Sequence, residues 1–285
     1  MINADMNEYW NGDGGKKWIK FHHIMDRSLM PFGTKAIEAL GLSTGERIID
    51  IGCGCGGSAF DMAHSVGPYG HVKGIDISKP ILKLARSRAE LRMKPEARNS
   101  ITFEHADAQN HHFVLADVDV VFSRFGVMFF DDPIAAFENI RKSLKPGGRL
   151  AFVCWKTAMN NEWIRLPLDV VAGHMPLPTP PEADEPGPFS FGDINRLKRI
   201  LSSAGYSDIE IAEYEAPFKL GENINEAVSF VTQIGPVSAV ISQPEVDTST
   251  RYSIDAALHE EFSSYETKAG VNLGASTWIV TAKNP

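Results

Sequence analysis

The sequence predicts an α/β fold: a mostly parallel sheet with helices on both faces and helical insertions over its top. Three observations carry this prediction. Short apolar runs alternate with segments of helical period between residues 47 and 155. The first run ends directly in a glycine cluster, Gly52-Cys53-Gly54-Cys55-Gly56-Gly57. The alternation then breaks after Trp155 and resumes near residue 193.

Arg47 to Ile51 is the first strand, a short apolar run feeding a tight turn. Ser58 to Val66 places Phe60, Met62, Ala63 and Val66 at helical spacing before Gly67-Pro68 stops the helix. His71 to Ile77 is the second strand, and Ser78 with Pro80 opens the next helix. Ile101 to Glu104 and Asp119 to Phe122 follow as strands, separated by a short segment around Gln109 to Leu115. Asp132 caps a helix with Pro133 at its first position, and Ile134, Phe137, Ile140 and Leu144 form its apolar stripe. Lys145-Pro146-Gly147-Gly148 turns the chain into a fifth strand, Arg149 to Trp155.

The stretch from Pro176 to Pro188 holds six prolines and three acidic residues, which forbids regular structure. A helix at about Asp193 to Ala204, a strand around Ile209 to Phe218, helices near Asn225 to Gln233 and Ser253 to Lys268, and a last strand, Thr277 to Ala282, complete the chain. The expected organisation is an N-terminal helical lid segment at 1–39, a Rossmann-like core at 40–155 and a lid insertion at 156–190. Residues 191–285 complete the sheet, with a helical cap at about 222–270.

Composition excludes several classes of function. With 43% hydrophobic and 22% charged residues among 285, the chain can bury a core and is neither fibrous nor disordered. The formal charge of −8 disfavours a polyanion as the main partner. A basic run, Lys79, Lys83, Arg86, Arg88, Arg92, Lys94 and Arg98, wraps two sides of one helix without aromatic interleaving, so it reads as a solvated face. No nucleic-acid partner is expected. Three cysteines make no disulfide framework, and Met1 to Trp10 lacks the apolar core of a signal peptide. No apolar run approaches the roughly 20 residues of a membrane span. The expected location is cytoplasmic.

In an open α/β sheet ligands bind beyond the carboxyl ends of the strands, where the glycine cluster lies. Gly52, Gly54 and Gly57 also satisfy Gly-x-Gly-x-x-Gly, and Asp76 lies near the spacing of a ribose-binding acid. Both a dinucleotide and another adenosine-bearing cofactor fit these features. Asp50 separates them, because its carboxylate repels a pyrophosphate and attracts an ammonium. S-adenosyl-L-methionine carries that ammonium and no phosphate.

The segment Ile49-Asp50-Ile51-Gly52-Cys53-Gly54-Cys55-Gly56 resembles the first motif of the class I S-adenosylmethionine-dependent methyltransferases. Gly74-Ile75-Asp76-Ile77-Ser78, His105-Ala106-Asp107-Ala108 and the Leu144 to Leu150 turn are similar to that family's later motifs, in the family's order. The nearest likeness is to its quinone C-methyltransferase-like branch of small-molecule enzymes. The resemblance implies a Rossmann-like class I methyltransferase fold with a seven-stranded sheet, and an enzyme moving a methyl group to a small-molecule C, O or N nucleophile, with S-adenosyl-L-homocysteine as product.

It also implies roles. Asp50 and the loop of Gly52, Cys53, Gly54 and Gly56 would hold the methionine moiety, Asp76 the ribose hydroxyls, and Ile77 the adenine face. Asp107 would take the adenine amino group and the Ala108 N–H a ring nitrogen. Ser123 and Arg124 would border the methionine end, with Tyr9, Trp10 and Trp18 as lid residues over the cofactor. Candidate acceptor contacts are Phe125, Met128, Trp155, Trp163 and His174.

His22 shares a helix face with Asp26 at i, i+4, which makes His22 and His23 candidate bases; the plainer alternative is a surface pair. Cys53 and Cys55 lack two further ligands for zinc, and although Asp131-Asp132 comes close to an acidic metal cluster, Asp132-Pro133 reads better as a helix cap, so no metal is expected. Two other functions stay open, an NAD-dependent oxidoreductase and a noncatalytic S-adenosylmethionine-binding regulator.

Overall fold

The computed structural model describes residues 3–93, 100–182 and 184–285, so Lys94 and Arg98 of the basic run lie outside it. Three helices open the chain: α1 (Ala4–Asn11), α2 (Asp13–Lys20) and α3 (His22–Leu40). The alternating core follows as β1 (Arg47–Ile51), α4 (Gly57–Val66), β2 (His71–Asp76), α5 (Lys79–Arg92), β3 (Ile101–His105), β4 (Val118–Arg124), α6 (Pro133–Arg141) and β5 (Leu144–Trp155). Then come α7 (Glu162–Ala172), α8 (Ile194–Ser203), β6 (Ser207–Gly221), α9 (Ile224–Val231), α10 (Gly235–Ile241), α11 (Thr248–Ser263), β7 (Glu266–Thr267) and β8 (Gly270–Lys283).

The sheet runs in the order β3-β2-β1-β4-β5-β8-β6, with the two-residue β7 paired to β8. Strands β1 to β5 are parallel, while β8 runs antiparallel between β5 and β6. Strand order therefore reverses between β1 and β4, the place where such sheets open a crevice. The predicted caps form: Ser78 accepts from Ile81 N–H and Asp132 from Ala135 N–H, with a proline in the first turn of each helix.

The structure departs from the sequence expectations in four places. Leu144 opens β5 instead of closing α6, and the Lys145 to Gly148 turn is a bulge in β5, across which the pairing passes from Val118 with Leu144 to Val120 with Arg149. Asn284 holds that bulge, accepting the Gly147 N–H on its backbone and donating its amide to the Leu144 and Lys145 carbonyls. The late strands are longer than expected, at 15 and 14 residues, because β8 is paired on both edges. The stretch 156–190 contains a helix, α7, before its proline-rich part, and 222–270 holds α10 besides the two expected helices.

Helix α3 packs against β5, β6 and β8. Its Phe32 is fully buried, edge-on to Trp155 and Tyr214, which anchors the first forty residues to the sheet. Among the described residues no single helix is long and apolar enough to cross a membrane.

Candidate active site

A cavity of about 480 Å³ lies beyond the carboxyl ends of β1 to β5, within the usual size of ligand pockets. Its floor comes from the strand ends in sheet order: Ala106, Asp107 and Ala108 after β3, Ile75, Asp76 and Ile77 at β2, Gly52 and Gly54 after β1, Arg124, Phe125 and Gly126 at β4, and Trp155 at β5. Its cover comes from α1 and α2, from Met25 and Leu29 of α3, from Trp163 and Ile164 of α7, from residues 186–189, and from the α9–α10 turn.

The glycine loop is shaped by backbone angles. Gly52, Gly54 and Gly56 have φ of 64°, 55° and 86°, a region in which a side chain is strained. At Gly52 a Cβ would also lie 2.8 Å from the Gly126 Cα, so the β1 and β4 ends touch backbone to backbone at the switch point. The Gly52 and Cys53 N–H groups donate to the Ile75 carbonyl at 2.8 and 3.1 Å. Gly56 does not reach the cavity, since a Cβ there would meet the Phe60 and Phe103 rings.

Asp76 ends β2 facing this loop. Its Oδ2 accepts the Gly54 N–H at 2.9 Å and its Oδ1 the Ser78 N–H at 2.8 Å. Burial raises its pKa, and those two N–H groups oppose the rise. Each oxygen keeps a lone pair for a ligand hydroxyl. Asp107 accepts the Gln109 N–H and the Asn3 amide on Oδ1 and the Asn110 amide on Oδ2.

Asp50 lies behind the loop rather than on the cavity wall. It is fully buried, Ser58 Oγ donates to its Oδ2 at 2.8 Å, and its Oδ1 has no partner. Desolvation pushes its pKa up to about 7, against the Ser58 hydrogen bond and the Arg124 charge. Direct contact of Asp50 with a ligand is therefore not the arrangement seen. Cys53 is likewise buried off the wall, and its thiol is pushed well up by desolvation. Ser123 is also off the wall, since its hydroxyl bridges the Ile51 carbonyl and the Gly126 N–H.

Arg124 does line the cavity, and its guanidinium donates to Asp26 Oδ1 at 3.1 Å while Arg88 donates to Asp26 Oδ2 at 2.5 Å. The two guanidiniums hold the Asp26 carboxyl below its ordinary value in spite of burial. A Cβ on Gly57 would lie 2.6 Å from Asp26 Oδ1, so this carboxylate covers the N-terminus of α4. That is the position a dinucleotide's pyrophosphate takes after a glycine loop.

Tyr9, Trp10 and Trp18 lie on the wall together, with Trp10 edge-on to Trp18 and to Phe129. The turn after α1 is tied to the β2 end: Ser78 Oγ donates to the Trp10 carbonyl, and Asn11 bonds both the Ile77 carbonyl and the Lys79 N–H. Beyond β4 and β5 the wall is aromatic. Phe125 stacks on Trp155 at 4.1 Å, Trp163 stacks on Phe218 at 4.1 Å, and Met128 lies nearby on the same wall. Phe125 holds φ of 58°, a strained angle worth roughly 1–3 kcal/mol. Its ring stacking and its N–H bond to the Val153 carbonyl keep it there.

The histidines are not brought in. His22, His23 and His174 lie off the cavity wall, His23 and His174 are exposed, and Asp26 pairs with arginines instead of His22. The His22 ring bonds the Ile19 carbonyl. An i, i+4 spacing places two side chains on one face but does not say which neighbour wins. Wall residues without a local sequence signal are Asn3, Lys17, and the segments 186–189 and 233–242. Among the described residues no cluster of His, Cys, Asp or Glu has the arrangement of a metal site.

Fold and site together define an α/β domain of the class I methyltransferase type, with its crevice at the β1/β4 switch. Residues 48–148 match the family model described as a methyltransferase domain. It is 36% identical over 124 residues to demethylmenaquinone methyltransferase of Lactococcus lactis, covering 44% of this chain and 47% of that protein. It is 34% identical over 122 residues to aklanonic acid methyltransferase DauC of Streptomyces sp., covering 43% and 54%. The chain thus spans about half the length of these curated relatives. A solved phosphoethanolamine N-methyltransferase 2 of Haemonchus contortus superposes with a TM-score of 0.55 at 19% identity, over 90% of this chain and 52% of that one. The [4+2]-cyclase SpnF superposes with 0.52 at 21% identity, over 91% and 81%.

Proposed function

We propose that the cavity binds S-adenosyl-L-methionine and that the protein transfers its methyl group to a small, largely apolar acceptor. One observation carries the reading: two carboxylates, Asp76 and Asp107, stand beyond β2 and β3 beside a left-handed glycine loop, and the same cavity continues into an aromatic room beyond β4 and β5. The residues fit the group. Asp76 offers acceptors to ribose hydroxyls, and Asp107 and the Ala108 N–H flank the place for an adenine edge. The Asp26–Arg124 pair fills the space over the α4 N-terminus that a pyrophosphate would take.

When bound, the cofactor supplies a methyl group on a sulfonium, which a nucleophile displaces in line. The protein's part is then to position and to exclude water. Tyr9, Trp10 and Trp18 cover the adenosine end, and Phe125, Trp155 and Trp163 hold a flat apolar body. Holding reactants in line accounts for up to roughly 7–11 kcal/mol of a barrier. The curated relatives' names, a quinone and a polyketide-type acid methyltransferase, agree with an acceptor of this kind. The cyclase among the structural neighbours shows that this fold also hosts other chemistry, so turnover has to be measured.

The deciding experiment is calorimetric titration with S-adenosylhomocysteine beside NADH. Binding of the first alone is expected. Binding of NADH alone overturns the reading.

A further inference from the structure

We infer that Lys17 is the acceptor's anchor, and that the acceptor is a flat apolar molecule carrying an acidic oxygen ionised at neutral pH. This rests on the cavity being the methyl-transfer site proposed above. Five wall residues carry ionisable side chains: Tyr9, Lys17, Asp76, Asp107 and Arg124. Both acids are engaged by hydrogen-bond donors at the β2 and β3 ends, and Arg124 is paired with Asp26. Partial burial raises the Tyr9 phenol, so it stays protonated at neutral pH and cannot take a proton. Histidine and cysteine are absent from the described wall.

Lys17 differs from the others. Its Nζ donates to Ser238 Oγ at 3.0 Å, across from α2 to α10, and the acid that feels its charge, the exposed Asp13, is bridged to Lys16 instead. An ammonium has three protons, so a single neutral hydroxyl leaves it under-used on the wall of the cavity that Trp155, Trp163 and Ile234 also line. Half-buried there, it attracts an anion more strongly than it would in open water. Ser238 and Ser242 on the wall add hydroxyls for the same end of a ligand, while the Gln233 amide is held by Lys20 and Ser229.

The absence of a base points the same way. An acceptor that arrives as its anion needs none: its electron pair closes on the methyl carbon, the carbon–sulfur bond breaks, and that pair stays on sulfur. Anion and sulfonium become two neutral groups, and no proton has to be placed. A carboxylate, or a phenol or enol acidified by a neighbouring carbonyl, meets both demands.

The test uses the full chain saturated with S-adenosylhomocysteine, titrated with 1-hydroxy-2-naphthoate and with its methyl ester, reading quenching of the tryptophans on the wall. The acid should bind about tenfold tighter than the ester, the scale of one charge-assisted hydrogen bond. Lys17→Met should bring the acid to the level of the ester, Lys17→Arg should restore most of the difference, and both variants should bind S-adenosylhomocysteine as the native protein does. Equal affinity for acid and ester, binding of neither, or equal loss of both in Lys17→Met overturns the inference. If S-adenosylhomocysteine itself does not bind, the cofactor reading falls, and the acid-to-ester ratio on the free protein still decides the role of Lys17.

Discussion

Asp76 accepts the Gly54 N–H at 2.9 Å, so the residue that ends β2 also fixes the crown of the loop that ends β1. One carboxylate thereby does two things, shaping the loop and offering its remaining lone pairs to a ligand. The two strand ends cannot be tuned separately.

Asp76→Asn replaces one acceptor oxygen by an NH2 group, which must face either the Gly54 N–H, the Ser78 N–H or the ligand. S-adenosylhomocysteine affinity should fall about 10- to 100-fold, the cost of one or two hydrogen bonds to a charged group. Calorimetry checks this, and a change below about threefold removes Asp76 from the ribose site.

Asp50 sets a pH dependence on folding. Its pKa is raised to about 7, so between the ordinary carboxylate range and about 7 the folded chain holds a proton that the unfolded chain has released. Its contribution therefore lowers stability as pH rises through that window, and levels off above it. Asp50→Asn should be close to the native protein near about pH 4 and more stable near about pH 8 by on the order of 2 kcal/mol. Urea unfolding at the two pH values decides it; parallel curves for both proteins would show that Asp50 is not the group responsible.

Gly52 and Gly147 form a controlled pair. Both hold left-handed angles, 64° and 76°, but a Cβ on Gly52 meets the Gly126 backbone at 2.8 Å while nothing lies within 4 Å of one on Gly147. Gly147→Ala should cost about 1 kcal/mol of strain. Gly52→Ala adds a backbone clash and should cost roughly 3 kcal/mol and abolish cofactor binding. Denaturant midpoints of the two variants check the order.

The legible part of this protein was the part built by local rules. The runs at β1, β2, β4 and β5, the caps at Ser78 and Asp132, and the glycine loop each follow from a handful of neighbouring residues. Asp76 could be singled out by its spacing from the glycine loop, whereas Asp107 was named only through the family resemblance of its segment. Helix α10 was hidden because Gly235-Pro236 reads as a breaker, although Pro236 lies in its first turn, where a proline is tolerated. Asn3 and Lys17 left no trace, since what makes them part of the site is a partner 104 or 221 residues away. For His22 the choice between a base and a surface pair was likewise open in the sequence, because Asp26, its neighbour on the helix, pairs with Arg88 and Arg124 from other elements.

The Lys17–Ser238 bridge joins segments 221 residues apart, and that separation bears on how the chain acquires its shape. Contacts so distant in sequence carry the largest loop-closure cost and form late. The shelf made by β1 to β3 and their turns lies within about sixty residues of chain, whereas the room beside it needs α2, α7 and the α9–α10 turn as well. Specificity and catalysis-ready geometry are thus acquired at different moments of folding, and damage to the last helices should erase acceptor choice while sparing the older, locally encoded shelf.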